Sequence, residues 1–137
     1  ADEALNGPED AVSIVTKGAA DVFAVKVAQS GGIKRASEVV AIGQAAGLGL
    51  YAGTMLETGL GTAAALQLFA GVEELRWGSE LFGPLLLTED ILATPIRYAD
   101  FTVEVPQGAG IGVTLDPDKI DFFRRDRARS LKTVAGA

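Results

Sequence analysis

The chain has 137 residues, 48% of them hydrophobic and 22% charged, with a net charge of −6. That is enough for one cored domain and too little for two, and the negative balance argues against a nucleic-acid surface. Cysteine and histidine are both absent, which removes disulfides, thiolate or imidazole metal sites and Ser–His or Cys–His catalysis, leaving acid–base work to Lys, Asp, Glu or Tyr and any metal to oxygen ligands.

Asn6-Gly7-Pro8-Glu9-Asp10 is turn chemistry that opens a helix, with Ala11, Ile14, Val15 and Ala19 at helical spacing. Val22–Val27 reads as a buried strand, rich in β-branched residues. Gln29-Ser30-Gly31-Gly32 reads as a loop, and Ile33 to Ala46 as a helix with Gly47 just past its end. Leu48 to Ala52 is a second strand, Gly53 to Glu57 a loop and Thr58 to Ala70 a helix of small residues. Leu75 to Leu81 holds a third strand, which Gly83-Pro84 ends. Phe101 to Val105 and Ile111 to Leu115 are further strands around a glycine-rich turn, and Asp116-Pro117 caps a last helix through Phe123.

The repeated helix–strand phrase implies right-handed crossovers and a parallel sheet. Three such strands make a poor sheet alone, whereas a closed eight-unit barrel needs about 200–250 residues. With no initiator methionine, the expectation is a fragment. The expected fold class is α/β: residues 1–92 form the last strands and helices of a (β/α) barrel, and 93–137 form a return segment of two short strands and a helix. No run of about 18 uncharged apolar residues is present to span a membrane. The acidic start is unlike a signal peptide, and the lack of cysteine fits a reducing cytoplasm.

Lys26 interrupts the best strand and has no acidic neighbour in sequence. It reads either as an edge lysine with its head in water or as a lysine aimed into a barrel mouth, where desolvation would lower its pKa toward the acid–base range. Asp2 and Glu3 read as solvated acids, or as groups at a strand end before a loop, where barrel chemistry gathers. Glu80, between Trp77 and Phe82, is a surface acid or one whose pKa an apolar site raises. Gly31-Gly32 and Gly59-x-Gly61 match no complete phosphate-loop fingerprint. The basic run Arg124 to Arg129 reads as a solvated tail.

Ala1-Asp2-Glu3, Val25-Lys26-Val27 with Ser30-Gly31-Gly32, Gly53-Thr54-Met55-Leu56-Glu57, Gly61-Thr62-Ala63-Ala64-Ala65, Ser79-Glu80-Leu81-Phe82-Gly83-Pro84 and Val105-Pro106-Gln107-Gly108-Ala109-Gly110 resemble the enolase superfamily. The set, in this order, is most similar to the muconate and chloromuconate cycloisomerases, or muconate-lactonizing enzymes. The resemblance implies a modified (β/α) barrel under an α+β capping domain, to which the return segment would pack, and a divalent metal, Mn2+ or Mg2+, held by three acids. It implies that Asp2 is the fifth-strand metal ligand and Glu3 its neighbour behind it. Lys26 is then the sixth-strand lysine and Glu80 the eighth-strand proton donor. Thr54, Met55 and Phe82 would line the substrate pocket. The second-strand Lys-x-Lys pair and the first two metal ligands have no counterpart here.

The implied activity is the metal-dependent interconversion of cis,cis-muconate, or chloromuconate, and muconolactone in the cytoplasmic breakdown of catechols. Implied partners are a small dicarboxylate, the N-terminal part of the same enzyme and further copies of it (an octamer in the family), with no nucleic acid and no membrane. Dipeptide epimerases, N-acylamino-acid racemases and o-succinylbenzoate synthases are the superfamily rivals, though the epimerases' eighth-strand Asp-x-Asp is missing from Ser79-Glu80-Leu81-Phe82. A fragment without activity of its own is the alternative from another class.

Overall fold

The structure, a computed structural model, describes residues 1–124. Its elements in chain order are α1 (Pro8–Thr16), β1 (Val22–Val25), α2 (Val27–Ser30), α3 (Ile33–Ala45), β2 (Gly49–Ala52), α4 (Gly59–Phe69), a 3-10 turn (Gly83–Leu86), the strands β3 (Tyr98–Ala99) and β4 (Thr102–Val103), and α5 (Pro117–Phe123).

β1 and β2 run parallel, Val22 opposite Gly49 and Val25 opposite Ala52. The ladder continues by one residue on each side. The Ala1 amine donates to the Val22 carbonyl and the Ala24 amide donates to the Ala1 carbonyl at 2.8 Å. On the other edge Ala52 bridges Ser79, with the Glu80 amide donating to the Ala52 carbonyl at 3.0 Å. Four parallel positions therefore follow one another in chain order, as in a barrel wall.

Strand alternation sorts the side chains. Phe23, Val25, Leu50 and Ala52 are buried toward α3 and α4. α3 answers with Ala36, Val39 and Val40, and Gly43 lets it approach: a Cβ there would lie 3.0 Å from both Leu50 Cδ2 and Phe23 Cδ2. The opposite face, Val22, Ala24 and Tyr51 with Ala1, Asp2 and Trp77, lines an open and largely apolar pocket.

Several elements differ from the expectation. β1 stops at Val25, and Lys26 begins the one-turn helix α2, closed by Gly31 at φ +88°. The Ser30 amide returns to the Lys26 carbonyl at 2.9 Å, which turns the supposed strand end and loop into a helix. The third strand shrinks to the bridge at Ser79, because Gly78 sits at φ +74° and its amide closes a turn onto Leu75. Of Phe101–Val105 only Thr102–Val103 is extended, paired antiparallel with Tyr98–Ala99 around Asp100 and Phe101, both at positive φ. Ile111–Leu115 keeps one bridge, Leu92 to Leu115, since Gly110 and Gly112 lie at φ +65° and +78°. The last helix forms as read, with the Asp116 side chain accepting from the Asp118 and Lys119 amides. Residues 125–129 of the basic run lie outside the described residues. No helix among the described residues is long and apolar enough to cross a membrane.

Candidate active site

Lys26 continues the inward parity of Val22 and Ala24, and it is 4% exposed. Its stem crosses Gly53, where a Cβ would lie 2.9 Å from Lys26 Cγ. This contact explains a glycine at the end of β2. The Lys26 ammonium sits 2.7 Å from Asp2 Oδ1 and also donates to Glu3 Oε1. Burial alone would lower the pKa of this lysine, but the Asp2 and Glu3 carboxylates together outweigh burial and hold it above its ordinary value. The expectation of a lysine lowered toward the acid–base range is thus reversed. Its acidic partners stand across the sheet, 24 and 23 residues back.

Glu3 is anchored through its backbone, whose carbonyl accepts from Gln29 Nε2 at 3.1 Å. Both acid side chains remain open, Asp2 by 58% and Glu3 by 73%. Their oxygen chemistry fits a hard divalent ion. Their number does not make a shell, since among the described residues no three acidic side chains converge on a metal site.

Glu80 lies one strand beyond β2, half-buried, and its surroundings are polar. The Thr54 amide donates to Glu80 Oε1 at 3.2 Å and the Tyr51 hydroxyl to Oε2 at 3.4 Å. The expected apolar clamp is not formed. Trp77 is 65% exposed and leans over Gly49 instead, while Phe82 lines a groove together with Glu80, Leu81, Tyr98 and Phe101. Burial and then the charge of Glu80 raise the Tyr51 hydroxyl above its usual pKa.

Thr54 is buried beside Glu80, and its hydroxyl donates to Glu57. Met55 is half exposed next to it. The structure thus gathers Asp2, Glu3 and Lys26 into one cluster and Glu80, Thr54 and Tyr51 into a second, with the end of β2 between them. Tyr51 escaped the sequence reading, although strand parity with Gly53 was a signal for its inward face. The glycine pairs serve caps and packing: Gly31 and Gly32 close and open helices, and the Gly59 amide is taken by the Asp90 carboxylate at 2.6 Å.

The family model described as Enolase C-terminal domain-like matches residues 1–119. Muconate cycloisomerase 1-2 of Acinetobacter lwoffii is 60% identical over 126 residues, covering 92% of this chain and 33% of that protein. Muconate cycloisomerase 1 of Acinetobacter baylyi is 51% identical over 125 residues, 91% of this chain and 34% of the relative. The crystal structure of muconate lactonizing enzyme from Pseudomonas fluorescens complexed with muconolactone superposes with a TM-score of 0.87 at 50% identity, over 90% of this chain and 33% of that one. The chain therefore spans about a third of the length of the relatives it matches.

Proposed function

The chain belongs to the Enolase C-terminal domain-like family, and on that premise we propose that it is the C-terminal portion of a muconate cycloisomerase, a cytoplasmic isomerase that interconverts cis,cis-muconate and muconolactone. The observation that carries the reading is the buried Lys26 ammonium held at a strand end against Asp2, at 2.7 Å. A fixed cation there suits a reaction that builds negative charge on a dicarboxylate.

In the lactonising direction, one carboxylate oxygen of the diacid forms a bond to a carbon of the double bond. The π pair moves toward the second carboxylate as an enolate, and a proton then reaches the α-carbon. Lys26, an ammonium fixed in the wall beside Asp2 and Glu3, stabilises the enolate charge as it develops. Glu80, oriented by the Thr54 amide and Tyr51 hydroxyl, is the acid of the opposite wall: it lends its proton to the enolate oxygen as charge develops there and takes it back when the α-carbon is protonated. The second-strand lysine that protonates the enolate belongs to the upstream part of the barrel. Thr54, Met55 and Phe82 shape the pocket.

Asp2 contributes one oxygen ligand to Mn2+ or Mg2+, with Glu3 behind it; the remaining ligands come from the upstream third and fourth strands. Bound there, the ion supplies positive charge against the enolate. Residues 1–92 complete the barrel and 93–137 return to the capping domain of a homo-oligomer, an octamer in the family. The open apolar face of Val22, Ala24 and Tyr51 supports a site assembled with the upstream part, so the 137 residues alone are inactive.

The test is turnover of cis,cis-muconate and of chloromuconate by the purified full-length protein, with and without Mn2+. Metal-dependent lactone formation is expected. Epimerisation of a dipeptide in the absence of lactone formation would replace this reading with a rival of the same superfamily.

A further inference from the structure

We propose that Glu57 is a positioning residue for Glu80, acting through Thr54; the inference rests on the role given to Glu80 above. The motif Gly53-Thr54-Met55-Leu56-Glu57 folds onto its own last side chain. The Thr54 hydroxyl donates to Glu57 Oε2, and the Met55 amide donates to the same oxygen at 2.9 Å. The Leu56 amide in turn donates to Thr54 Oγ1 at 2.9 Å. A carboxylate oxygen is suited to two donors at once, and such charge-assisted bonds are the strong ones. They hold Leu56 at φ +60°, a conformation that a bulky residue adopts when its surroundings impose it.

Two glycines close on the same residue. On α4 a Cβ at Gly61 would lie 2.6 Å from Glu57 Cβ. On the segment that carries Glu80, a Cβ at Gly83 would lie 2.2 Å from the Glu57 carbonyl oxygen. Both contacts leave room only for glycine. The braced turn aims the Thr54 amide, and that amide holds Glu80 Oε1 at 3.2 Å. Glu57 is thus joined to Glu80 twice, through Thr54 and through the Gly83 packing. Gly61 of Gly59-x-Gly61, a pair that matches no complete phosphate-loop fingerprint, is space for this brace.

The experiment is steady-state kinetics on cis,cis-muconate with the full-length protein carrying Glu57→Leu, Glu57→Gln, Thr54→Val, Glu80→Gln and the Glu57→Leu/Glu80→Gln pair. Glu57→Leu should lower kcat about tenfold, with KM changed by less than about twofold. Glu57→Gln, which keeps an acceptor oxygen, should recover most of that loss. Thr54→Val, which removes the hydroxyl and keeps the amide, should reproduce the Glu57→Leu loss and so speaks for the brace if Glu57→Leu misfolds. The deciding comparison is the pair: Glu57→Leu should cost nothing further once Glu80 is Gln. An equal further loss in that background, or a rise in KM alone, overturns the proposal. If Glu80→Gln itself leaves kcat unchanged, the role of Glu80 is what fails, and the brace fails with it.

Discussion

Lys26 and Asp2 meet across neighbouring strand ends with their charged atoms 2.7 Å apart, the lysine side chain 5% exposed and the acid 58%. The burial is one-sided. The cation is fixed in the wall, and the acid keeps a face open for another ligand. Asp2→Asn in the full-length protein should weaken Mn2+ binding, read by titration calorimetry, and abolish lactone formation. Full activity at low metal concentration would remove Asp2 from the metal site.

Gly53→Ala tests how Lys26 is aimed. The added methyl would stand 2.9 Å from Lys26 Cγ and 3.4 Å from both Lys26 Cε and the Val25 carbonyl oxygen. Neither the buried stem nor the backbone can move freely, so overpacking should cost about 1–3 kcal/mol. Denaturant unfolding of the full-length protein reads that loss, and kcat should fall with it as the ammonium shifts. An alanine variant with wild-type stability and rate would show that Lys26 is aimed by its carboxylates alone.

What the sequence could show follows from the range of the forces involved. α3 was legible to within a residue because apolar spacing and Gly47 are local signals. The third strand was overread, because Gly78 breaks the extended chain at one position and the residues around it still look strand-like. For Lys26 the sequence offered an inward lysine beside an edge lysine, and its ion pairs were hidden: Asp2 and Glu3 reach it from the neighbouring strand end, which no local window shows. The polar setting of Glu80 was hidden for the same reason, since Tyr51 and the Thr54 amide come from the neighbouring strand.

Tyr98 gives a pH-dependent prediction. Its hydroxyl donates to the Leu81 carbonyl at 2.7 Å, and burial, with the charge of Asp90, pushes its pKa up to about 12. The unfolded value is about 10. A raised folded value means that the contribution to stability is full below about pH 10 and is lost as pH rises from there through about 12. Ultraviolet difference titration of the full-length protein against Tyr98→Phe should show one ionisation missing at the alkaline end. If the missing ionisation falls near pH 10, the hydroxyl is not sequestered as described.

The 137 residues produced alone should be aggregated or poorly ordered, because the face of Val22, Ala24, Tyr51 and Trp77 stands open. Addition of the upstream part of the barrel should restore order. Sharp, dispersed NMR spectra of the isolated chain would refute this.

The last prediction concerns Lys26 and Glu80 together. They stand on either side of β2 and have separate partners, Asp2 and Glu3 for the lysine, Thr54 and Tyr51 for the acid. Neither depends on the other for its placement, so each substitution should act on its own side of the site. Lys26→Ala removes the buried cation and leaves the carboxylates of Asp2 and Glu3 facing one another without it, which also adds negative charge where the dicarboxylate must develop more. Glu80→Gln keeps the size of the side chain and removes its capacity to carry a proton. Both groups act on charge that appears in the transition state, so each change should lower kcat by about 100-fold or more and move KM much less. Steady-state kinetics on cis,cis-muconate with the full-length protein decides it. A variant with near-normal kcat and a raised KM would show that its residue binds substrate and transition state alike, and that its place in the chemistry is wrong.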